Sequence, residues 1–267
     1  MKILYGLTII CIALLALECK SERHQAPVEA SHDTTQVQGI TPDEKITDGN
    51  ITVYSYQKEH RLEIVSIPDS IHFVYSPKNN KTFLQIAKDM NFRYMVNATY
   101  YSGYSRDASH VGWLWIYGTL YENVAEDKQL THIVSINRLS KKISYTYYKD
   151  FKSELDKDCL EFQTGPLIVE NNKLAENYIN SSINGLRKAP RTMLASLDNK
   201  QMFFIISESS MDLITLGNYI MKLSVFYGKR LDVVNLDGGP STALYSKNYS
   251  KLNYNEDAVL PFHLGIY

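Results

Sequence analysis

Apolar and polar positions alternate, or run apolar with β-branched and aromatic residues, over many short segments from residue 51 onward. These are ITVYSY from Ile51, RLEIVSI from Arg61, IHFVYS from Ile71, RYMVNATYY from Arg93, GWLWIYG from Gly112, HIVSIN from His132 and KISYTYY from Lys142. Successive side chains on a strand point to opposite faces, so these patterns predict β-strands. Downstream, GPLIVENNKL from Gly165 and RTMLASLDNKQMFFIIS from Arg191 place apolar runs around Asn171-Asn172 and Asp198-Asn199, residue pairs suited to hairpin turns. STALYSKNYSKLNY from Ser241 predicts another hairpin, turning at Lys247-Asn248. Two stretches carry a helical period instead. KTFLQIAKDM from Lys81 sets Phe83, Leu84, Ala87 and Met90 on one side, and DLITLGNYIMKLSVFYG from Asp212 would end at Gly228. Strands dominate, so the expected fold is α+β: a single domain with a mixed, strand-rich twisted sheet and a few packed helices.

The first residues, MKILYGLTIICIALLALECKSER, carry one Lys, an apolar run from Ile3 to Leu17 and then a polar segment, the layout of a secretory signal. The run is short for a membrane span. Cys19 follows it as an acylated cysteine would, with Glu18 where such signals usually have a small residue. Residues 1–19 are therefore expected to be a lipoprotein-type signal with Cys19 as the lipidation site. Residues 20–46, polar and without apolar period, are expected to be a flexible tether, and residues 47–267 the domain. The expected location is the bacterial cell envelope, with the membrane reached only through the lipid. Of the 3 Cys, this leaves Cys159 unpaired and reads it as a small buried apolar residue. With a formal net charge of -1 and no basic stripe, nucleic acid is not an expected partner.

The stretch VVNLDGGPSTALY, residues 233–245, carries the densest chemistry. Val233 and Val234 begin a strand that should end near Leu236, leaving Asp237 at its carboxyl end, where open sheets commonly place ligands. Gly238 and Gly239 have no Cβ, so the backbone there can take positive φ and bring N–H groups close to a bound anion. Ser241 and Thr242 add hydroxyls. A tight turn with a capping Asp reads from the same residues.

Three further segments share this character: MVNATYYS from Met95, whose strand ends in Asn97; FQTGPLIV from Phe162, with Gly165-Pro166; and APRTMLA from Ala189, with Arg191 and Thr192 opening a strand. In this order, with VVNLDGGPST, they resemble the phosphodiester glycosidase domain family, members of which remove N-acetylglucosamine from a sugar-1-phosphate diester. The likeness spans roughly residues 70 to 267. Ala98 and Thr99 stand where that family typically has two glycines.

The resemblance implies a hydrolase that cleaves the sugar–phosphate glycosidic bond of sugar-1-phosphodiesters in glycans. The leaving phosphate is stable as an anion, so the barrier lies in positive charge developing on the sugar. Arg191 would hold the phosphate through its planar fork. Asp237 would act near the anomeric carbon as nucleophile or as base for water. Gly238 and Gly239 would offer backbone donors to phosphate; Asn97, Thr192, Ser241 and Gly165 complete the expected substrate contacts. No cofactor is firmly implied. An Asp among carbonyl-rich loops is compatible with a divalent cation, but the spacing is not diagnostic of one, and His110 and His132 are too far apart in sequence to suggest zinc. Two other readings fit the same residues: a non-catalytic glycan- or phosphate-binding lipoprotein, and a metal-assisted phosphodiesterase. Trp113 and Trp115, at period two, are expected on a core face, and Glu208 at a solvated turn.

Overall fold

The computed structural model describes residues 39–68, 70–76, 80–103 and 108–267. The signal segment, Cys19 and most of the expected tether lie outside these residues, as does the middle of the polar loop GYSRDASH. Among the described residues, no helix is long and apolar enough to cross a membrane.

Strands prevail, as the alternation predicts, but the sheets are not mixed: every paired strand among the described residues is antiparallel. Some of these pairs, such as Ile51–Tyr56 with Leu62–Ile67 and Ala189–Leu197 with Gln201–Met211, are hairpins, whose short turns leave paired strands antiparallel. An eight-stranded sheet runs in the order Glu44–Asp48, Ile51–Tyr56, Leu62–Ile67, Gln201–Met211, Ala189–Leu197, Leu231–Gly238, Leu167–Glu170, Lys173–Leu174. A five-stranded sheet is centred on Cys159–Thr164. A four-stranded sheet places Tyr94–Asn97 between Leu244–Ser246 and Phe262–Ile266. The first strand, Glu44–Asp48, starts the sheet upstream of the expected boundary at residue 47.

One face of the eight-stranded sheet meets the two smaller sheets through a core that includes Val65, Val96, Leu114, Phe162, Leu194, Val234 and Leu264. Its other face, with Ile64, Met193, Ala195 and Val233, is covered by Leu213, Leu216 and Ile220 of the helix Leu213–Ile220. Asp212 caps that helix by accepting from the Thr215 N–H at 2.8 Å. The helix stops at Ile220 instead of running to Gly228, because a β-bridge competes for the backbone. Ile40 donates to Lys222 and accepts from Ser224, both at 2.9 Å, and Leu223 is held extended. The helix Phe83–Asp89 carries a capping box at Thr82 and Gln85 and buries Phe83, Ile86 and Ala87. Its buried face is thus turned from the expected one, with Met90 exposed and Leu84 at the margin.

The two Asn/Asp turns form as expected: Asn171, Asn172, Asp198 and Asn199 all have φ between 51° and 62°. The hairpin expected at Lys247-Asn248 is reduced to one bridge, Leu244 to Tyr254, with a 3-10 turn at Ser250–Leu252 between. Trp113 and Trp115 do lie on a buried face, around Ile133, and each indole N–H is satisfied, by Glu161 and by the Asp156 carbonyl. Glu208 lies within the strand Gln201–Met211 rather than at a turn, half-buried and paired with Arg61 at 3.0 Å. Cys159 is only half-buried, a strand-end residue bonded to Asn137 and Asp156, and burial pushes its thiol pKa up to about 11.

Candidate active site

Asp237 and Arg191, 46 positions apart in sequence (237 minus 191), come from neighbouring strands of the eight-stranded sheet, Leu231–Gly238 and Ala189–Leu197. Arg191 pairs with Gly238 and Met193 with Asn235, so Leu236 and Asp237 together oppose the single residue Thr192. This β-bulge bends the strand end and re-aims Asp237. Gly238 lets the strands approach closely here: its φ is extended, and a Cβ would lie 3.1 Å from the Pro190 carbonyl and 3.2 Å from Arg191 Cδ, tighter than ordinary contact. Positive φ falls on Gly239 alone, at 63°, where the chain turns into the 3-10 segment Gly239–Ser241.

Both charged side chains line one cavity of about 90 Å³, with Tyr100, Gln129, Asn184, Arg187 and the Gly238–Pro240 backbone. Arg191 is only 3 % exposed. Its Nη2 donates to the carbonyls of Asn184 at 2.8 Å and Arg187 at 2.6 Å, while its Nε has no hydrogen-bond partner. Burial lowers its pKa, opposed by the nearby Tyr100 hydroxyl and Asp237; a guanidinium stays charged regardless. Asp237 is half-buried, and burial raises its pKa to about 6 against hydrogen bonds from Ser241 and from the Gly238 N–H (2.9 Å) and the charge of Arg191. Among the described residues no direct ion pair joins Arg191 to Asp237. Cation and carboxylate therefore share the cavity without closing on each other.

The other sequence-predicted positions lie around this pair in supporting places. Asn97 is 2 % exposed and its side chain is fully engaged: Nδ2 donates to the Asp237 carbonyl at 2.7 Å, and Oδ1 accepts from the Thr192 hydroxyl at 2.5 Å and the Ala243 N–H at 3.0 Å. Thr192 is wholly buried. These two lie beneath Asp237 and not on the cavity wall. Ser241 and the Gly238 N–H are turned to the Asp237 carboxylate itself. Gly165, at φ 149°, accepts from the Tyr100 hydroxyl and from Asn235 Nδ2, both at 3.1 Å. A Cβ there would lie 2.7 Å from the Thr131 nitrogen. Ala98 is absorbed by the core, and its carbonyl accepts from the Asp237 N–H at 3.0 Å.

Sequence reasoning missed Tyr100, Asn235, Gln129, Asn184 and Arg187. Tyr100 and Asn235 lie inside the quoted motifs. Asn184 opens an Asn-Gly turn signal, Gln129 and Arg187 sit in loops without periodicity, and only folding brings the three to the cavity. Among the described residues no cluster of three or more His, Cys, Asp or Glu is arranged to hold a metal ion. A larger cleft of about 560 Å³, lined by Asn137, Asp156, Cys159 and Lys200, contains none of the expected site residues.

The phosphodiester glycosidase family model matches residues 91–267, which include every one of these positions. The chain belongs to the phosphodiester glycosidase family. Comparison with curated protein sequences found no match. Solved structures with the same fold include the catalytic domain of zebrafish N-acetylglucosamine-1-phosphodiester alpha-N-acetylglucosaminidase auto-inhibited by its pro-peptide. That domain has a TM-score of 0.57 and 12% identity, with 82% of each chain covered. A hypothetical protein from Synechocystis gives 0.53 at 11% identity, covering 80% of this chain and 61% of that one. A Burkholderia pseudomallei protein named as a candidate exported protein gives 0.54 at 8% identity, covering 80% and 75%. At these identities the likeness establishes the fold, and the phosphodiester glycosidase assignment rests on the family match.

Proposed function

We propose that the protein is an exported hydrolase that cleaves the sugar–phosphate glycosidic bond of sugar-1-phosphodiesters in glycans. The observation that carries this reading is the shared cavity of Arg191 and Asp237, in which a buried guanidinium keeps an unpartnered Nε–H beside a carboxylate it does not bind. A buried, unpaired cationic donor is costly unless an anion completes it, and a phosphodiester supplies one. The anomeric carbon–oxygen bond breaks with its electron pair going to the phosphate, which leaves as a monoester anion held by Arg191. Ionised Asp237 then either bonds to the anomeric carbon until water displaces it, or takes the proton from the attacking water. Both routes release free sugar and a phosphate monoester. A carboxyl with a pKa of about 6 is mostly ionised at neutral pH yet basic enough for either role. Asn97, Thr192 and Ser241 serve as positioning residues that fix the main chain and carboxylate of Asp237. The expected lipid anchor at Cys19 would hold the enzyme at the cell envelope.

Product analysis tests the reading. The full chain is incubated with a panel of sugar-1-phosphodiesters, with and without a chelator, beside Asp237→Asn. Free sugar lost in the variant supports it. Sugar phosphate as product would assign cleavage to the phosphorus side, chelator-sensitive if metal-assisted, and intact bound ligand would assign a binding protein.

A further inference from the structure

We infer that Arg187 is a second phosphate-binding residue of the cavity, one that takes up the negative charge a phosphate gains as the sugar–phosphate bond breaks. This rests on the sugar-1-phosphodiester reading above and adds to that site a residue that discriminates by charge.

A phosphodiester carries one negative charge. When the anomeric carbon–oxygen bond breaks and its electron pair stays on the oxygen, the departing monoester carries two. A cation beside the phosphate therefore attracts the transition state and the product more strongly than it attracts the bound diester. Arg191 alone matches the charge of the diester; the second charge calls for a second cation.

Arg187 and Arg191 both line the cavity, four positions apart in sequence (191 minus 187). Arg191 Nη2 donates to the Arg187 carbonyl at 2.6 Å and to the Asn184 carbonyl at 2.8 Å, and the Arg187 N–H donates to that same Asn184 carbonyl at 3.3 Å. The main chain that carries Arg187 is thus fixed by Arg191 itself. Beside burial, the charge of Arg187 lowers the Arg191 pKa, and it acts more strongly than Asp237 does in the other direction. The two cations therefore lie close to each other. Arg187 is exposed, and among the described residues its guanidinium has no hydrogen bond or ion pair.

An exposed arginine by itself is ordinary. Here two like charges are held at one cavity, and their repulsion is relieved when an anion joins them. The lining holds a single carboxylate, Asp237, which is assigned to the sugar, so both guanidiniums are left for the phosphate, whose oxygens accept from each.

The test sets full-chain wild type against Arg187→Gln and Arg187→Lys at low ionic strength and pH 8, with binding measured by calorimetry. There methyl phosphate carries two charges, its second pKa being about 6, and dimethyl phosphate carries one. Coulomb attraction scales with the charge of the anion, so the fold-loss for the dianion should be about the square of that for the monoanion. Arg187→Gln is expected to weaken dimethyl phosphate about threefold, the size of one exposed ion pair, and methyl phosphate about tenfold, with Tm unchanged. Arg187→Lys keeps the charge and should recover most of both losses. With a sugar-1-phosphodiester as substrate, Arg187→Gln should raise KM about threefold and lower kcat about threefold.

Equal losses for the two anions, no loss for either, or losses that Arg187→Lys leaves in place would overturn the inference. The two readings fail separately. A larger loss for methyl phosphate with no diester cleaved removes the catalytic reading alone. Diester cleavage with the same kcat and the same anion affinities in wild type and Arg187→Gln removes the Arg187 assignment alone.

Discussion

Asn97 holds the main chain of Asp237: its Nδ2 donates to the Asp237 carbonyl at 2.7 Å across 140 residues of sequence. Its Oδ1 ties Thr192 and Ala243 to the same point. One amide thus joins an inner strand of the four-stranded sheet to two strands of the eight-stranded sheet. Asn97→Ala strips partners from three groups at a site with almost no access to solvent. At ~1–3 kcal/mol for each buried group left unsatisfied, a loss of about 3 kcal/mol or more is expected. For a domain of this size that is a fall in Tm of roughly 6–12 °C, read by thermal melting. Cleavage should fall as well through misplaced Asp237. An unchanged melting curve would show that water replaces the amide and that the bridge is dispensable.

The pH dependence of cleavage reports Asp237. Its folded pKa is raised to about 6, chiefly by burial, and its proposed role needs the ionised form. The profile of kcat/KM against pH should therefore rise with a midpoint near 6. Asp237→Asn should remove activity by about a thousandfold or more. It should also raise Tm above pH 6, because a raised folded pKa means that the carboxyl stabilises the fold below its ordinary value of 3.8 and loses that contribution as pH passes through 6. A profile flat from pH 5 to 8 would remove Asp237 as the ionising group.

Arg191 has two tasks that substitution separates. Arg191→Ala leaves the carbonyls of Asn184 and Arg187 without their donor and is expected to cost about 1–3 kcal/mol in stability along with activity. Arg191→Lys retains the charge but not the fork, so Tm should recover partly while KM for the phosphodiester stays raised about tenfold or more. Full activity in Arg191→Lys would count against a forked grip on the phosphate.

Glu63 offers a stability test away from the cavity. It is 3% exposed, accepts from Ser55 at 2.5 Å and Gln57 at 2.9 Å, and burial raises its pKa to about 7, with Glu208 and Glu44 adding to the rise and the Ser55 bond opposing it. The raised folded value means stability that is fully present below 4.5 and is lost as pH climbs through 7. Glu63→Gln, neutral at every pH, should flatten the dependence of Tm on pH between 4.5 and 7. Parallel curves for wild type and variant across that window would refute it.

Most individual strands, both Asn/Asp hairpins and the Thr82 capping box follow from local sequence, because alternation and turn chemistry act between near neighbours. The helix from Asp212 was legible only up to Ile220: the bridge from Ile40 to Leu223, 183 positions later (223 minus 40), outweighs the helical pattern beyond it. The motif order identified Asp237, Arg191, Asn97 and Thr192 as belonging together. It could not rank them, since an Asn that holds a strand and an Asn that touches substrate look alike in one dimension.

By itself, the amino-acid sequence determined which segments extend and where the chain turns, for these depend on side-chain chemistry within a few residues. The tertiary structure alone decided that the sheets are wholly antiparallel and that Thr192 faces a bulge of two residues. It also decided that Arg191 is buried against a loop while Asp237 keeps a raised pKa beside it. Those properties arise from strand pairing, burial and the exclusion of water, which exist only once distant parts of the chain have met.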